Sequence, residues 1–404
     1  MQFLTLIALT LFTSMAWALE ADLSGNVEGQ WRHTKNNDEA KEDLFQDWNE
    51  ENFYLLYGNL NGKLEFASSR IEANWFVRYS QSELYDPQNN PIWGDRPYLA
   101  TRIFTFPNKL VARDVFQLQY NKQDGNHQLE SVLNKFYYEW DWDENRFMIG
   151  RMYINYGLGE IFNPLNPFNQ PTGLTSIQQV AQGNDGLSFT FYVNENHTIQ
   201  FLLLGDKSVE GYDGQIDRTL WAHGEIQATD KLQLDYVVGE DQNRQKLGGQ
   251  IAYRFEEAMV FSQVLYQSEN VKGDPSDNLW DILLGYDQQL TSKWHLRFEG
   301  GYQKRDNDQV TTADNFGDRF LPTEYFVAFA NVFELHPLFK LNATVVNDIK
   351  SGFTYLIGKG TLDIGHNMEA ELFGYVPAAK GDSADNPAQK LVTTDFGLAL
   401  RAFF

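Results

Sequence analysis

Stretch after stretch of this 404-residue chain alternates apolar and polar residues with a period of two. In residues 293–305 the even positions are Trp294, Leu296, Phe298, Gly300 and Tyr302, while the odd ones include His295, Arg297, Glu299, Gln303 and Arg305. Successive side chains of a strand point to opposite faces, so this pattern gives one apolar and one polar face. Residues 231–239 set Leu232, Leu234, Tyr236 and Val238 against Lys231, Gln233 and Asp235. Residues 69–80 set Ile71, Ala73, Trp75, Val77 and Tyr79 against Arg70, Glu72, Asn74 and Arg78. Residues 278–287 follow the rule with two exceptions, Leu279 and Leu283, which fall on the polar parity with Asp281 and Asp287. A helix needs a period near 3.6, so the expected class is all-β.

A soluble sandwich also alternates, and three features favour a closed membrane barrel instead. Short breaks (143–145, 194–197, 229–230, 256–257, 291–292, 334–337, 363–365) take turns with breaks that are mostly longer (33–51, 83–130, 156–184, 207–217, 269–277, 306–321, 377–389). Short turns on one side and long loops on the other is the layout of an outer-membrane barrel. Aromatic residues sit near strand ends, as with Tyr138, Trp140, Trp142, Trp280 and Trp294. The chain also ends on an uninterrupted apolar parity, Val392, Thr394, Phe396, Leu398, Leu400, Ala402 and Phe404, which resembles the C-terminal signal of bacterial outer-membrane proteins read by the barrel-assembly machinery. Strands are expected to begin near 22, 51, 69, 131, 146, 185, 198, 218, 231, 245, 258, 278, 293, 322, 338, 352, 366 and 390. The expected fold is a transmembrane up-and-down antiparallel β-barrel of about 18 strands, within 16 to 20, with one long inward-folding loop. The region 83–130 leaves the count open, because 102–106 and 114–121 read either as a further hairpin or as part of a large folded loop.

Residues 1–18 carry a short apolar run ending in Ala16-Trp17-Ala18, the small-x-small pattern of a secretory signal peptide, with 19–404 as the single barrel domain. Mean hydropathy is −0.46 although aromatics make up 15% of the chain. A barrel with a polar bore and an aromatic girdle combines those two properties. There are no cysteines, which excludes thiolate metal sites and leaves stability to the sheet. The net charge of −23 argues against a nucleic-acid partner.

Between Gly157 and Gly183 strand character stops, because Pro164, Pro167 and Pro171 each lack the donor a ladder needs. The loop is long for a compact domain and rich in apolar residues, which marks 156–183 as a candidate constriction loop folding toward the bore. Its candidate residues are Glu160, Phe162, Asn163, Pro164, Asn166, Pro167 and Phe168. The run Gly150-Arg151-Met152-Tyr153-Ile154-Asn155-Tyr156-Gly157-Leu158-Gly159, followed by Phe162-Asn163-Pro164-Leu165-Asn166-Pro167-Phe168, resembles a group of Gram-negative outer-membrane porin-like barrels that includes relatives of alginate-export channels. The resemblance spans about thirty residues, and implies an outer-membrane channel without identifying what passes.

If the apolar parity faces lipid, the other faces the lumen. The expected channel lining includes Arg78, Lys135, Arg151, Asp235, Arg254, Asp281, Arg297, Glu299, Glu369, Glu371, Asp395 and Arg401. Both signs occur, either as a transverse field for small polar solutes or as neutral pairs within the wall. Arg151 is expected either to face solute or to pair with Glu160 or another loop acid. The acid-rich stretch 36–52, with Asp38, Glu39, Glu42 and Asp43, is a solvated surface or a partner, through shared cations, of lipopolysaccharide phosphates. The seven histidines are scattered, and no nucleophile motif accompanies any of them, so no catalytic residue, cofactor or metal is assigned. The function expected is a porin-like diffusion channel for small polar or charged solutes in the outer-membrane lipid. The alternative is an export conduit working with a pump. A homotrimer is open.

Overall fold

The computed structural model describes residues 20–35, 50–81, 111–113, 115–116, 118–166, 168, 183–207, 216–241, 244–269, 279–303, 325–349, 352, 354–379 and 394–404. The expected signal peptide, the stretch 102–106, Pro167 and residues 169–182 of the expected loop lie outside these.

The strands are β1 (Glu20–Lys35), β2 (Glu50–Phe66), β3 (Ser69–Gln81), β4 (Val111–Arg113), β5 (Gln119–Asp124), β6 (His127–Trp142), β7 (Asn145–Tyr153), β8 (Gly183–Asn194), β9 (His197–Lys207) and β10 (Ile216–Thr229). They continue with β11 (Leu232–Asp241), β12 (Arg244–Arg254), β13 (Ala258–Glu269), β14 (Leu279–Thr291), β15 (Trp294–Gln303), β16 (Tyr325–His336), β17 (Phe339–Asp348), β18 (Thr354–Gly365), β19 (Met368–Ala379) and β20 (Thr394–Phe403). All but β4 and β5 form one closed antiparallel barrel of 18 strands, as the alternation led us to expect. β3 pairs with β6, and the ring closes where β20 pairs with β1 from Asn26↔Phe403 to Lys35↔Thr394. The terminal residue completes the seam: Gly25 N donates to Phe404 O (2.9 Å) and Phe404 N to Gly25 O (3.0 Å). Closure leaves the ring without a free edge.

One end of the barrel carries tight turns. At His366-Asn367 both residues have positive φ (54° and 60°), the left-handed pair that matches the twist of two-residue hairpins. The outer face follows the alternation. Trp280 and Leu284 of β14, Phe298 of β15 and Leu398 of β20 are exposed. Aromatic pairs mark both ends of the strands: Trp140 stacks on Trp142 (centroids 6.1 Å apart) beside a turn, and Tyr266 meets Trp280 (4.7 Å) at the other end. This is the girdle-and-belt surface of a barrel that meets hydrocarbon.

The region 83–130 resolves in part. β5 forms a hairpin with β6, from Asp124↔His127 to Gln119↔Val132. β7 pairs with β6 only from Trp142↔Asn145 to Phe136↔Arg151. β5 therefore takes up the edge of β6 that β7 leaves when the chain turns away after Tyr153, so ladder groups there are paired.

Inward-facing residues fall into two kinds. Along β9 to β17 many are apolar and buried, including Leu202, Leu204, Trp221, Val237, Phe261, Leu265, Leu283 and Phe326. Along β18 to β20 and β1 to β3 the buried set is richer in polar residues, with Glu371, Asp395, Glu28, Gln30, Arg32, Asn74 and Arg78 standing beside apolar Phe53, Leu55, Tyr57, Phe76 and Phe373. The parity exception Leu283 is 0% exposed and packs with Ile161 and Phe162 of the segment that follows β7. Apolar residues on the inner face thus have a cover of their own, and strands covered on both faces lose the clean alternation.

Candidate functional site

After Tyr153 the chain runs along the inner wall. Gly157 has φ +70°, and a Cβ there would lie 2.5 Å from Asn163 Oδ1. A Cβ on Gly159 would lie 1.9 Å from the Phe162 carbonyl oxygen, so this tight turn admits only glycine. The segment then closes on itself. Asn163 Nδ2 donates to Tyr156 O (2.6 Å), Asn166 N to Asn163 O (3.1 Å) and Asn166 Nδ2 to Asn155 Oδ1 (2.7 Å). These bonds replace the ladder partners that Pro164 makes impossible.

Two apolar clusters dock it. Ile161 and Phe162 pack with Ala252, Phe261, Leu283, Phe326, Ala328 and Val346, with the Phe162 ring edge-on to Phe326 at 5.8 Å. Tyr156, Leu165 and Phe168 pack with Leu202, Leu204, Trp221, Val237 and Leu265. Phe168 meets Trp221 edge-on at 5.3 Å, and Tyr156 stacks on His223 at 4.2 Å. The Tyr156 hydroxyl donates to Gln200 Oε1 (2.6 Å); burial raises this phenol well above its ordinary range and keeps it a neutral donor.

The polar lock is Glu299. Its carboxylate accepts three consecutive backbone N–H groups, from Glu160 (2.8 Å), Ile161 (3.0 Å) and Phe162 (3.2 Å). Arg297 lies two residues away on the same face of β15. Its Nε donates to Glu299 (2.7 Å), its Nη1 to Asp287 (2.7 Å), and its Nη2 to the Leu158 carbonyl. The guanidinium also sits over the Phe261 ring, 5.1 Å from its centroid. Glu160 Oε1 approaches Arg297 Nη1 at 3.2 Å, and His295 Nε2 meets Asp287 at 2.7 Å. From the neighbouring wall Gln250 accepts Leu158 N (3.0 Å) and pairs with Asp235. Of the expected residues, the structure therefore gathers Glu160, Phe162, Asn163, Asn166, Arg297, Glu299 and Asp235 into one network, with Pro164 buried among them and Phe168 beside them.

Arg151 takes a different place. By alternation it belongs with the exposed Ile149, yet it and Asp185 are both 0% exposed. They face each other across the β7–β8 pair and form a bidentate ion pair (2.6 and 2.9 Å). Asp185 also accepts the main-chain N–H groups of Val115 (2.7 Å) and Phe116 (2.8 Å), and Arg151 Nη1 donates to Leu133 O (3.0 Å). The segment before β5 covers this pair. Its partner is the strand acid Asp185, while Glu160 lies by Arg297.

Most of the remaining expected lining residues form ion pairs, and Asp281 on β14 meets an amide. Arg32 pairs with Asp395, and Arg78 with Glu130. Lys135 pairs with Glu72 and lies over the rings of Tyr137 and Tyr153. Arg401 bridges Glu28 (2.6 Å) and Glu369 (3.2 Å), and Lys359 meets Glu371 (3.0 Å). Asp281 accepts from Gln267 (2.9 Å). Arg254 is exposed beside the turn after β12, away from these groups. Sequence reasoning missed Asp185 and Gln250; neither carries a local signal, because each acquires its role from a segment far away in the chain.

No family model matches the chain, and no curated protein matches it. Solved structures match it in fold. A BenF-like porin from Pseudomonas fluorescens Pf-5 superposes with a TM-score of 0.58 over 95% of this chain and 98% of that one, at 8% identity. OccK9 (OpdG) from Pseudomonas aeruginosa gives 0.58 over 95% and 98%, also at 8% identity. OccAB4 from Acinetobacter baumannii gives 0.55 over 95% and 98%, at 7% identity. The likeness is one of barrel architecture.

Proposed function

We propose that this chain is an outer-membrane channel through which small polar or charged solutes diffuse, narrowed by the segment that follows β7. The observation that carries the reading is the docking: residues 154–166 and 168 lie against buried apolar residues of β9 to β17, while β18 to β20 and β1 to β3 carry buried charged and amide groups beside their own aromatics. A barrel wide enough to hold an inserted loop and still present a polar wall suits passage of hydrated solutes rather than catalysis. The neighbour described as a porin supports the same reading. The Gly150–Gly159 motif supports kinship with the alginate-export group. The matched acids and bases of the polar wall suit small solutes better than a polyanion, which needs an excess of cations along its path.

Residues 1–18 are proposed as the export signal, removed on the way to the outer membrane, and 19–404 as the barrel domain. The C-terminal strand would be read by the assembly machinery, and the acid-rich 36–52 stretch would meet lipopolysaccharide through shared cations. The residues Arg78, Lys135, Asp281, Glu369, Glu371, Asp395 and Arg401 are proposed as channel lining, with Arg297, Glu299 and Asp235 holding the loop. Conductance of the purified protein in a planar bilayer tests the function. A steady conductance that rises on deletion of 160–180 is expected. A silent bilayer from a folded barrel would replace diffusion with the pump-assisted export reading.

A further inference from the structure

Glu160 is the one charged side chain in residues 154–166 and 168. Its neighbours Ile161 and Phe162 are buried, yet its own side chain is 63% exposed. The segment holds this carboxylate in a fixed place by a bond that does not involve it, since the Glu160 main-chain N–H is what Glu299 grips. Arg297 and Glu299, the wall groups beneath, fall in the middle of the ten-residue β15, so Glu160 stands about half-way along the strand's path through the wall. Arg297 does not cancel its charge. That guanidinium is 5% exposed and already serves Glu299 and Asp287, so three carboxylates surround one cation. Elsewhere on the lining Lys135 meets Glu72, Arg78 meets Glu130 and Lys359 meets Glu371, while Arg401 is shared by Glu28 and Glu369.

We propose that Glu160 is the residue that sets the charge selectivity of this channel, and that it favours cations, inorganic or small organic ammonium ions, over anions. The inference rests on the channel reading above. A single fixed charge within a Debye length of the ion path raises the local concentration of one sign and lowers that of the other. Removing it should therefore change the cation-to-anion permeability ratio by about fivefold at low salt, and less as salt rises.

The experiment is the reversal potential of the reconstituted full-length mature barrel in a potassium chloride gradient. The wild-type channel should prefer potassium, Glu160→Gln should lower the ratio about fivefold, and Glu256→Gln, in the exposed turn after β12, should leave it unchanged. The chain has no cysteine, so Glu160→Cys offers a unique thiol in the same folded channel. An anionic thiosulfonate should restore cation preference and a cationic one should reverse it. An unchanged ratio in Glu160→Gln overturns the proposal while leaving the channel reading intact, as does an equal change in Glu256→Gln, which would assign selectivity to overall charge. A silent bilayer from the folded wild type overturns both.

Discussion

Asp185 and Glu299 each accept consecutive main-chain N–H groups from a segment that is not itself part of the barrel wall: Val115 and Phe116 at Asp185, Glu160 to Phe162 at Glu299. Each is joined by an arginine that also donates to a main-chain carbonyl, Arg151 to Leu133 and Arg297 to Leu158. The electrostatic settings differ. Arg151 and Asp185 are ion-paired with each other, and both are fully buried. Arg297 divides itself among Glu299, Asp287 and Glu160, and the outermost of these is solvated. A fully buried pair presents no charge to solvent, so it welds strands together. An over-subscribed arginine under a solvated carboxylate can hold a loop and still present charge to a bore.

The largest effect should come from unbalancing the weld. Arg151→Ala leaves Asp185 as a buried charge without its counter-ion, which costs about 3–5 kcal/mol. Denaturant unfolding from lipid vesicles measures it. The double change Arg151→Met with Asp185→Leu should recover much of the loss, because uncharged groups of similar volume need no counter-ion. If Arg151→Ala unfolds like the wild type, the pair is not the weld described.

Glu299→Gln should act on the loop more than on the barrel. It removes the charge that strengthens three N–H bonds and costs about 2–3 kcal/mol of loop docking. Hydrogen exchange at Ile161 and Phe162 should quicken and conductance should rise, while the global unfolding midpoint moves less than in Arg151→Ala. Equal loss of global stability in the two variants would erase the distinction between weld and lock. Phe326→Leu is smaller still. It removes the edge-on partner of Phe162 for about 1 kcal/mol, read by the same exchange experiment.

The barrel was legible because alternation is a property of each strand alone. The expected starts at 69, 146, 198 and 258 fall within a residue of β3, β7, β9 and β13. The docking surface was also written in the sequence, as departures from alternation. β13 is apolar on both parities, with Val260, Val264 and Tyr266 outward and Phe261 and Leu265 buried inward, and Leu283 breaks the parity of β14. Strands that spoil the pattern mark where a second layer covers the inner face. The two carboxylate grips were not legible in that way. Asp185 meets Arg151 only once β7 and β8 are in register, and meets Val115 only once a segment seventy residues earlier has come back to them. Alternation also misplaced Arg151, because it assumes a wall with solvent or lipid on each side, and here another segment lies over it.

The smallest expected stability effect belongs to the residue with the largest expected effect on selectivity. Glu160→Gln breaks one contact to Arg297 at 3.2 Å whose acid is mostly solvated, so the loss of stability should stay below about 1 kcal/mol. The main-chain bond from residue 160 to Glu299 survives the change, and Arg297 keeps Asp287 and Glu299. Exchange at Ile161 and Phe162 should therefore match the wild type even as the reversal potential moves. That combination is what separates a lock from a weld: at Arg297 the group that carries charge to the bore is not the group that bears the loop, whereas at Arg151 the two roles cannot be parted. A fall in loop protection in Glu160→Gln as large as in Glu299→Gln would show that the side chain bears the loop after all, and the difference between the two arginines would then be one of exposure alone.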